Sequence, residues 1–155
     1  MLYDAVVLNA TRQKENVLAV PVKTTEIRKH LHQFQFDFVA ISKQYTVYKI
    51  HLESQPDIIQ GLVAFRPQKG FLGCVNMEIN GFNKHGIALY SGVGKSMVAL
   101  CCKVSMDIGL GGFISFEAKN RLIPYYQRLG AYRIGNSKRM FIDDIGARKL
   151  IDLYF

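Results

Sequence analysis

The chain has 155 residues, of which 49% are hydrophobic and 21% are charged, and its formal net charge at pH 7 is +8. This length and composition predict one globular domain with a substantial core, and they exclude a disordered chain. No apolar run is long enough to span a bilayer, and the first residues lack the pattern of a secretory signal. Neither a membrane protein nor a secreted protein is therefore expected.

The positive charge favours an anionic partner, such as nucleic acid, a membrane surface or a small polyanionic ligand, although it could also serve only solubility. The arginine-rich runs and the basic–aromatic alternation of RNA-binding sheets are missing from the sequence. Cys74, Cys101 and Cys102 lie in apolar segments without metal-ligand spacing. They predict reduced, buried thiols in a cytoplasmic protein, with no metal site.

The N-terminal half predicts a helix followed by strands. The first twenty residues give weak signals, and a helix that starts at Thr24 places Ile27, Leu31 and Phe34 on one face. Four β-rich segments follow, which predicts an antiparallel meander. They are residues 36–42 (FDFVAIS), 46–54 (TVYKIHLES), 57–65 (DIIQGLVAF) and 72–80 (LGCVNMEIN). In the fourth strand, alternation predicts Cys74, Asn76, Glu78 and Asn80 on one face and Val75, Met77 and Ile79 on the other.

The C-terminal half alternates helices and strands. A helix over 94–109 is predicted, with Gly109 as its C-terminal stop and an apolar face of Met97, Leu100, Cys101, Val104 and Ile108. Residues 112–118 then predict a strand, 121–130 a helix, 131–135 and 138–144 two strands, and 146–155 a short amphipathic helix. The whole order predicts one α+β domain over residues 1–155, with a mixed, mostly antiparallel central sheet flanked by helices.

The letters GVGKS at Gly92–Ser96 suggest either a nucleotide-binding P-loop or another phosphate-binding turn. A P-loop needs a glycine five positions before Gly94, and that position is Leu89. What remains is a glycine turn directly before a helix, where backbone N–H groups and the helix N-terminus favour an anion. A plain turn without a ligand is the simpler interpretation of the same residues.

Two features together resemble the GNAT (GCN5-related N-acetyltransferase) family. The first is the order of the elements, with Gly92 and Gly94 between the fourth strand and the long helix. The second is the segment SFEAKNRLIPYYQRLGAYRIG, residues 115–135, which is similar to the family's late strand and to a helix that ends in Tyr-x-x-x-Gly. Here that ending runs from Tyr126 to Gly130. The resemblance covers roughly residues 57–143.

The resemblance implies a glycine turn that binds the pyrophosphate of acetyl-coenzyme A through backbone N–H groups. The family has Gln or Arg at the position of Leu89, and Lys84 or Lys95 could supply the missing positive charge. The simpler interpretation of Asn120 is a helix N-cap. The implied cofactor-binding residues are Ser91, Gly92, Val93, Gly94, Lys95, Ser96 and Asn120.

The resemblance also implies catalytic roles. Tyr126 matches the family's tyrosine and is the candidate acid that protonates the departing coenzyme A thiolate. Glu78 is the candidate base for the amine, with a water relay as the alternative. His51 and His85 are further candidates, although surface positions are the simpler interpretation of both. Oxyanion donors are expected at an irregular point of the fourth strand, and Tyr125 is expected on a different face of the helix.

Three functions stay open. The first is an N-acetyltransferase that uses acetyl-coenzyme A and acts on a small amine, an amino-acid derivative or a protein amine. The second is a toxin-like acetyltransferase of aminoacyl-tRNA, and the third is a degenerate domain that binds coenzyme A or a partner without turnover. Nucleic acid is not favoured, no membrane contact is expected, and a homodimer is compatible with the sequence.

Glu117 is either a substrate-orienting or a solvent-facing residue. The tRNA hypothesis would be favoured by a cluster of basic residues at the acceptor cleft, namely Arg121, Arg128, Arg133, Lys138 and Arg139.

Overall fold

Nine β-strands of the described residues form one mixed sheet in the order β6-β1-β2-β3-β4-β5-β7-β9-β8. The structure is a computed structural model that describes residues 3–9, 12–83 and 90–155. The parallel pair is β5 with β7, and the other neighbouring strands are antiparallel. The strands are β1 (Tyr3–Asn9), β2 (Lys14–Pro21), β3 (Thr46–Leu52), β4 (Gly61–Gln68), β5 (Phe71–Ile79), β6 (Tyr90–Ser91), β7 (Ile114–Glu117), β8 (Tyr132–Arg133) and β9 (Arg139–Ile142). The predicted α+β fold with a mostly antiparallel sheet is confirmed.

Strands β1 and β2 pair ahead of the predicted helix, in the part of the chain where the sequence gives only weak signals. β1 pairs with β2 from Tyr3 opposite Ala19 to Leu8 opposite Lys14. In β2, Val17 and Ala19 alternate with more exposed residues and are buried. Lys14, Glu15 and Asn16 dilute this alternation in the sequence, which is why the signal is weak.

The first helix is confirmed, but residues 36–42 are not a strand. Helix α1 (Thr24–His30) and a 3₁₀ turn (Leu31–Gln33) lead to helix α2 (Phe38–Ser42). The Asp37 carboxylate accepts a hydrogen bond from the Ala40 N–H at 3.1 Å and caps α2. Phe38 is fully buried, with its ring 5.8 Å from that of Phe34. The cap and this packing override the β propensity of the segment.

The central strands are confirmed, although β4 begins at Gly61 rather than at residue 57 and continues through Pro67. Ala64 lies opposite Asn76 and Phe65 lies opposite Cys74, so Val75 is the extra residue of a β-bulge. Because the bulge shifts the alternation by one residue, the predicted faces of β5 are wrong across it. Cys74 packs with Met77 and Ile79 in one core cluster, and it does not share a face with Glu78.

The sheet is covered on both faces. Helices α1 and α2 pack on one face, together with Val47, Leu62 and Ala64. Helix α3 (Val93–Asp107) packs on the other face and connects β5 to the parallel strand β7. Gly109 follows α3 with φ 88° and ends it as predicted, whereas Ile108 is 47% exposed rather than in the core.

The C-terminal strands and α4 follow the prediction with shorter bounds, whereas α5 begins at Asp144 rather than at residue 146. A 3₁₀ turn (Asn120–Leu122) precedes helix α4 (Ile123–Arg128), and helix α5 (Asp144–Tyr154) ends the chain and packs against α3. The three cysteines are buried free thiols, as predicted. Within residues 3–9, 12–83 and 90–155, no helix is both long and apolar enough to cross a bilayer.

Candidate active site

A cleft of about 700 Å³ opens where β5 and β7 part. The two strands pair from Leu72 to Cys74, whereas β5 stays paired with β4 as far as Ile79. Beyond the Val75 bulge, β5 therefore has β4 on one side and the cleft on the other. Since backbone groups along a strand point alternately to its two sides, part of the N–H groups of this edge face the cleft. The bulge is an irregular point of this strand.

The glycine turn and the start of α3 form one end of the cleft. Gly92 has φ 92°, a left-handed conformation that favours glycine, and it directly precedes α3. The first N–H groups of a helix have no acceptor inside the helix. A Cβ on Gly94 would lie 3.6 Å from the Tyr125 hydroxyl oxygen and 4.0 Å from Cγ2 of Ile79. The helix start thus offers donors next to a space that a side chain at Gly94 would begin to fill.

The other implied cofactor-binding residues differ in what they can offer. Lys95 is exposed on the wall of the cleft. The Val93 side chain is buried in the core, so it leaves only its backbone at the helix start. Ser96 is 1% exposed, its hydroxyl donates to the Val93 carbonyl at 2.7 Å, and its N–H donates to the Gly92 carbonyl. The hydrogen bonds of Ser96 therefore stay within the helix. Ser91 lies in β6 and pairs with Leu8 of β1.

Tyr126 lies where the two strands separate. Its ring centroid is 4.7 Å from that of Phe116, which forms with Cys74 the last residue pair between β7 and β5. Burial raises the pKa of the Tyr126 phenol above its ordinary value of 10.0, and the neighbouring Cys101 and Cys74 add to the increase. The phenol therefore keeps its proton at neutral pH and can donate it.

Tyr125 also borders the cleft, contrary to the expectation that it faces elsewhere. Its ring stacks edge-on against that of Tyr126 with the centroids 5.2 Å apart, and its hydroxyl lies beside Gly94. Burial, with a smaller contribution from Tyr126, raises the pKa of Tyr125 to about 12. The helix α4 is short, and both tyrosines reach the cleft from it.

Glu78 lies on β5 in the wall of the cleft and is 7% exposed. Its carboxylate accepts hydrogen bonds from two successive backbone N–H groups. Gln35 N–H donates at 3.0 and 2.8 Å to the two oxygens, and Phe36 N–H donates at 3.0 Å. The carboxylate thus holds the chain between the first 3₁₀ turn and α2. No sequence pattern points to this contact, because it joins residues more than forty positions apart.

The remaining candidates are distributed as follows. His51 is 5% exposed, with Nδ1 2.7 Å from the Leu52 carbonyl oxygen, so the expectation of a surface position is wrong. Glu117 is exposed at the end of β7 and lines the cleft. Asn120 is exposed in a 3₁₀ turn, and the residue that caps α4 is Leu122, so the predicted N-cap role is wrong. Lys84, His85 and Leu89 lie outside the described residues.

Positive charge lines part of the cleft. Of the five basic residues whose clustering at the cleft would favour tRNA, Arg121 lines it, and Lys95 and Lys119 also lie in its wall. Arg133 instead donates to the carbonyls of Asn136 and Ser137 on the surface. No group of three or more metal-ligating side chains occurs among the described residues. The arrangement combines a helix start suited to an anion, a strand edge with N–H donors, and a protonated phenol between them.

The sequence matches no protein-family model and no curated protein sequence. Solved structures do resemble the fold. AtaT complexed with acetyl-methionyl-tRNAfMet is 14% identical, with a TM-score of 0.60, over 86% of this chain and 98% of that one. AAC(6')-Ib in complex with paromomycin and acetyl-coenzyme A is 11% identical, with a TM-score of 0.63, over 86% and 96%. A protein from Desulfovibrio desulfuricans assigned to the GNAT family is 14% identical, with a TM-score of 0.52, over 81% and 95%.

Proposed function

We propose that this protein, whose fold is that of the GNAT acetyltransferases, is an N-acetyltransferase that transfers an acetyl group from acetyl-coenzyme A to an amine. One observation carries the proposal. The cleft at the parting of β5 and β7 has the glycine turn at one end and the protonated Tyr126 in its wall. A phosphate-bearing thioester needs both an anion site and an acid for its leaving group.

The start of α3 would hold the pyrophosphate. The N–H groups of Val93, Gly94 and Lys95 belong to the first turn of the helix, and the helix dipole favours negative charge there. The Lys95 ammonium group adds a positive charge on the same wall. The surroundings of Gly94 support this assignment, because a Cβ there would lie in van der Waals contact with the Tyr125 hydroxyl and Ile79 and would narrow the approach to the helix start.

The acetyl group would lie along the open edge of β5. Attack of the amine on the thioester carbon puts negative charge on the carbonyl oxygen, and N–H groups of the strand edge near the Val75 bulge can stabilise it. When the carbon–sulfur bond breaks, the Tyr126 hydroxyl donates its proton to the thiolate. The buried phenol is suited to this role because it stays protonated across the neutral range.

The amine must lose a proton before or during its attack. Glu78 is one acceptor for it, and water in the open cleft is the other. The hydrogen bonds from Gln35 and Phe36 already occupy the Glu78 carboxylate, which favours water as the first acceptor. A pH profile of the Glu78→Gln variant distinguishes the two routes.

Two classes of acceptor have support. AAC(6')-Ib was solved with paromomycin, which favours a small amine. AtaT was solved with acetyl-methionyl-tRNAfMet, and Lys95, Lys119 and Arg121 in the cleft favour a polyanionic acceptor such as aminoacyl-tRNA. A domain that binds coenzyme A without turnover is the third alternative.

The deciding experiment measures thiol release from acetyl-coenzyme A with three groups of acceptors: aminoglycosides and other small amines, peptides, and charged tRNA. Mass spectrometry of the acceptor identifies the acetylated amine. Turnover with one group and not with the others names the acceptor class. Calorimetric binding of acetyl-coenzyme A without turnover of any acceptor supports the non-enzymatic alternative, and absence of binding contradicts the proposal altogether.

The cellular location and the assembly state stay predictions. Buried reduced thiols agree with a cytoplasmic location, and localisation of a tagged chain would test it. A homodimer is tested by the mass that light scattering gives in solution over a range of protein concentrations.

A further inference from the structure

Glu78 of β5 and Asn80, which directly follows β5, hold one irregular segment of the chain, residues 33–36, which we name the clamped segment. Glu78 accepts hydrogen bonds from the N–H groups of Gln35 and Phe36. The Asn80 side chain donates to the Gln33 side chain at 3.0 Å and to the Ile59 carbonyl at 2.9 Å. Both contacts join the segment to the end of β5, where Glu78 lines the cleft.

The contacts of Glu78 are strong for physical reasons. A buried carboxylate is costly unless hydrogen bonds satisfy its charge, and hydrogen bonds to a charged acceptor are stronger than neutral ones. The N–H groups of Gln35 and Phe36 lie between a 3₁₀ turn and α2, outside the regular hydrogen bonding of both. Donors and acceptor therefore satisfy each other, and the position of the segment depends on Glu78.

The clamped segment brings Phe36 to the cleft. The Phe36 ring lies edge-on to that of Phe38, with the centroids 6.2 Å apart, and is still 38% exposed. Phe38 belongs to the core on the face of α1 and α2, opposite the face that α3 covers. Phe36 and Gln35 therefore border the cleft from the side away from the glycine turn, where an acceptor can approach β5.

We infer that Glu78 is a positioning residue: it fixes the clamped segment so that Phe36 forms an apolar wall for the acceptor amine, and it is not the base. This inference rests on the proposed acetyl transfer for its kinetic consequence, although the clamp itself does not. Amines with an apolar group near the nitrogen are then preferred over compact polar ones. In this arrangement Glu78 affects the acceptor and leaves the thioester chemistry to other groups.

Hydrogen–deuterium exchange tests the clamp without any substrate. Glu78→Ala removes both acceptor oxygens, and amide exchange across residues 33–37 should accelerate at least about tenfold, because exchange follows local opening. Glu78→Gln keeps one oxygen, and Oε1 alone accepts from both Gln35 and Phe36 in the structure. Its exchange should lie between those of the wild type and Glu78→Ala, because the neutral oxygen accepts more weakly than the carboxylate and the new NH2 group cannot accept from Gln35. Unchanged exchange in Glu78→Ala overturns the clamp. If Glu78→Ala does not fold, Glu78→Asp replaces it, since it keeps the charge and shortens the reach.

Kinetic measurements separate positioning from base catalysis. They use the amine that gives the highest wild-type rate in the thiol-release experiment. If Glu78 is a positioning residue, Glu78→Ala should raise the acceptor KM about tenfold with kcat within about threefold, and Glu78→Gln should restore part of the lost kcat/KM. The acidic limb of the pH profile should survive in Glu78→Gln. Equal losses of about 10²-fold in kcat for both variants, with that limb gone, make Glu78 the base and overturn the inference.

Glu53→Gln, at an exposed carboxylate after β3, serves as the matched control and should leave exchange and kinetics unchanged. If no amine is turned over, the proposed function fails, and the exchange experiment alone decides whether the clamp exists. The two failures are therefore distinguishable.

Discussion

Two neighbouring tyrosines reach the same cleft with different surroundings. Tyr126 packs on Phe116 beside two cysteines, whereas the Tyr125 hydroxyl lies next to Gly94 at the helix start. The first position suits a thiolate, and the second suits a phosphate or the chain attached to it. Replacement by phenylalanine removes only the hydroxyl in each case, so the pair separates chemistry from binding.

Tyr126→Phe should lower kcat by about 10²-fold, near the lower end of the range for a general acid, because water can partly replace the phenol. Affinity for acetyl-coenzyme A should stay within about twofold, since the lost interaction belongs to the transition state. Tyr125→Phe should instead weaken acetyl-coenzyme A binding and change kcat less. Steady-state kinetics and calorimetry measure both effects.

Tyr132→Phe provides the control for this pair, because Tyr132 in β8 is 54% exposed and stacks on Phe141 of β9. It should leave both quantities unchanged. Full activity of Tyr126→Phe would contradict its role as acid, and a larger kcat loss in Tyr125→Phe would assign the acid to Tyr125. Because burial raises the pKa of Tyr126 above 10.0, deprotonation of this group should produce no basic limb in kcat below about pH 10.

Cys102 makes the free energy of unfolding depend on pH in the alkaline range. Burial raises the pKa of its thiol well above the ordinary 9.0, so the unfolded chain loses this proton first as pH rises. The protonated Cys102 thiol makes its whole contribution to the free energy of unfolding below pH 9. Above pH 9 this contribution decreases by up to about 1.4 kcal/mol per pH unit. Cys102→Ala should reduce that slope between about pH 9 and 10, as measured by urea unfolding. Val98→Ala, a buried neighbour in α3, should lower stability equally at each pH. An unchanged slope in Cys102→Ala would contradict this explanation.

At the scale of elements, the glycine turn and α3 have separable requirements. Gly92 needs its left-handed backbone, so any side chain there strains the turn itself. Gly94 is helical, and a Cβ on it meets only ordinary contacts. A substitution at Gly94 therefore tests the ligand site, whereas one at Gly92 also changes the fold of the loop.

Gly94→Ala should leave the melting temperature unchanged or slightly higher, because alanine favours a helix over glycine by about 1 kcal/mol. It should weaken acetyl-coenzyme A binding about tenfold or more, because the methyl group occupies the approach to the helix start. Calorimetric titration and thermal unfolding measure the two quantities. Gly70→Ala, in the exposed β4–β5 turn with φ 88°, should show the opposite pattern, with lower stability and normal affinity. Normal affinity in Gly94→Ala would contradict the proposed phosphate site.

The sequence predicted the elements with strong periodicity and missed those that depend on distant contacts. Helix α3 and strands β3 and β5 carry long apolar patterns and were found. The composition of residues 36–42 predicts a strand, because the Asp37 cap and the packing of Phe38 give no periodic signal in five residues. The Val75 bulge interrupts a perfect alternation in the sequence, so only pairing with β4 reveals it. The contact of Glu78 with Gln35 was missed for the same reason.

At the scale of the whole molecule, the net charge of +8 should assist coenzyme A binding at long range. Raising the ionic strength from about 0.01 M to about 0.15 M shortens the screening length from about 30 Å to about 8 Å. The dissociation constant of coenzyme A should rise several-fold over this range in calorimetric titrations. Pantetheine, which lacks the phosphates, should show a flat response. A flat response for coenzyme A as well would mean that short-range backbone donors dominate its binding.

Within the sheet, strands β1 to β6 are joined to strands β7, β9 and β8 by three residue pairs between β5 and β7. Strands β2 to β5 are sequential neighbours, whereas β7 reaches β5 only after the chain has closed a loop of about forty residues, which costs more entropy. The C-terminal strands are therefore the part expected to dock last during folding and to open first in the native state. A ligand that spans the parting would bridge two cooperative units, and its binding energy would appear as slower opening of strands that it does not touch.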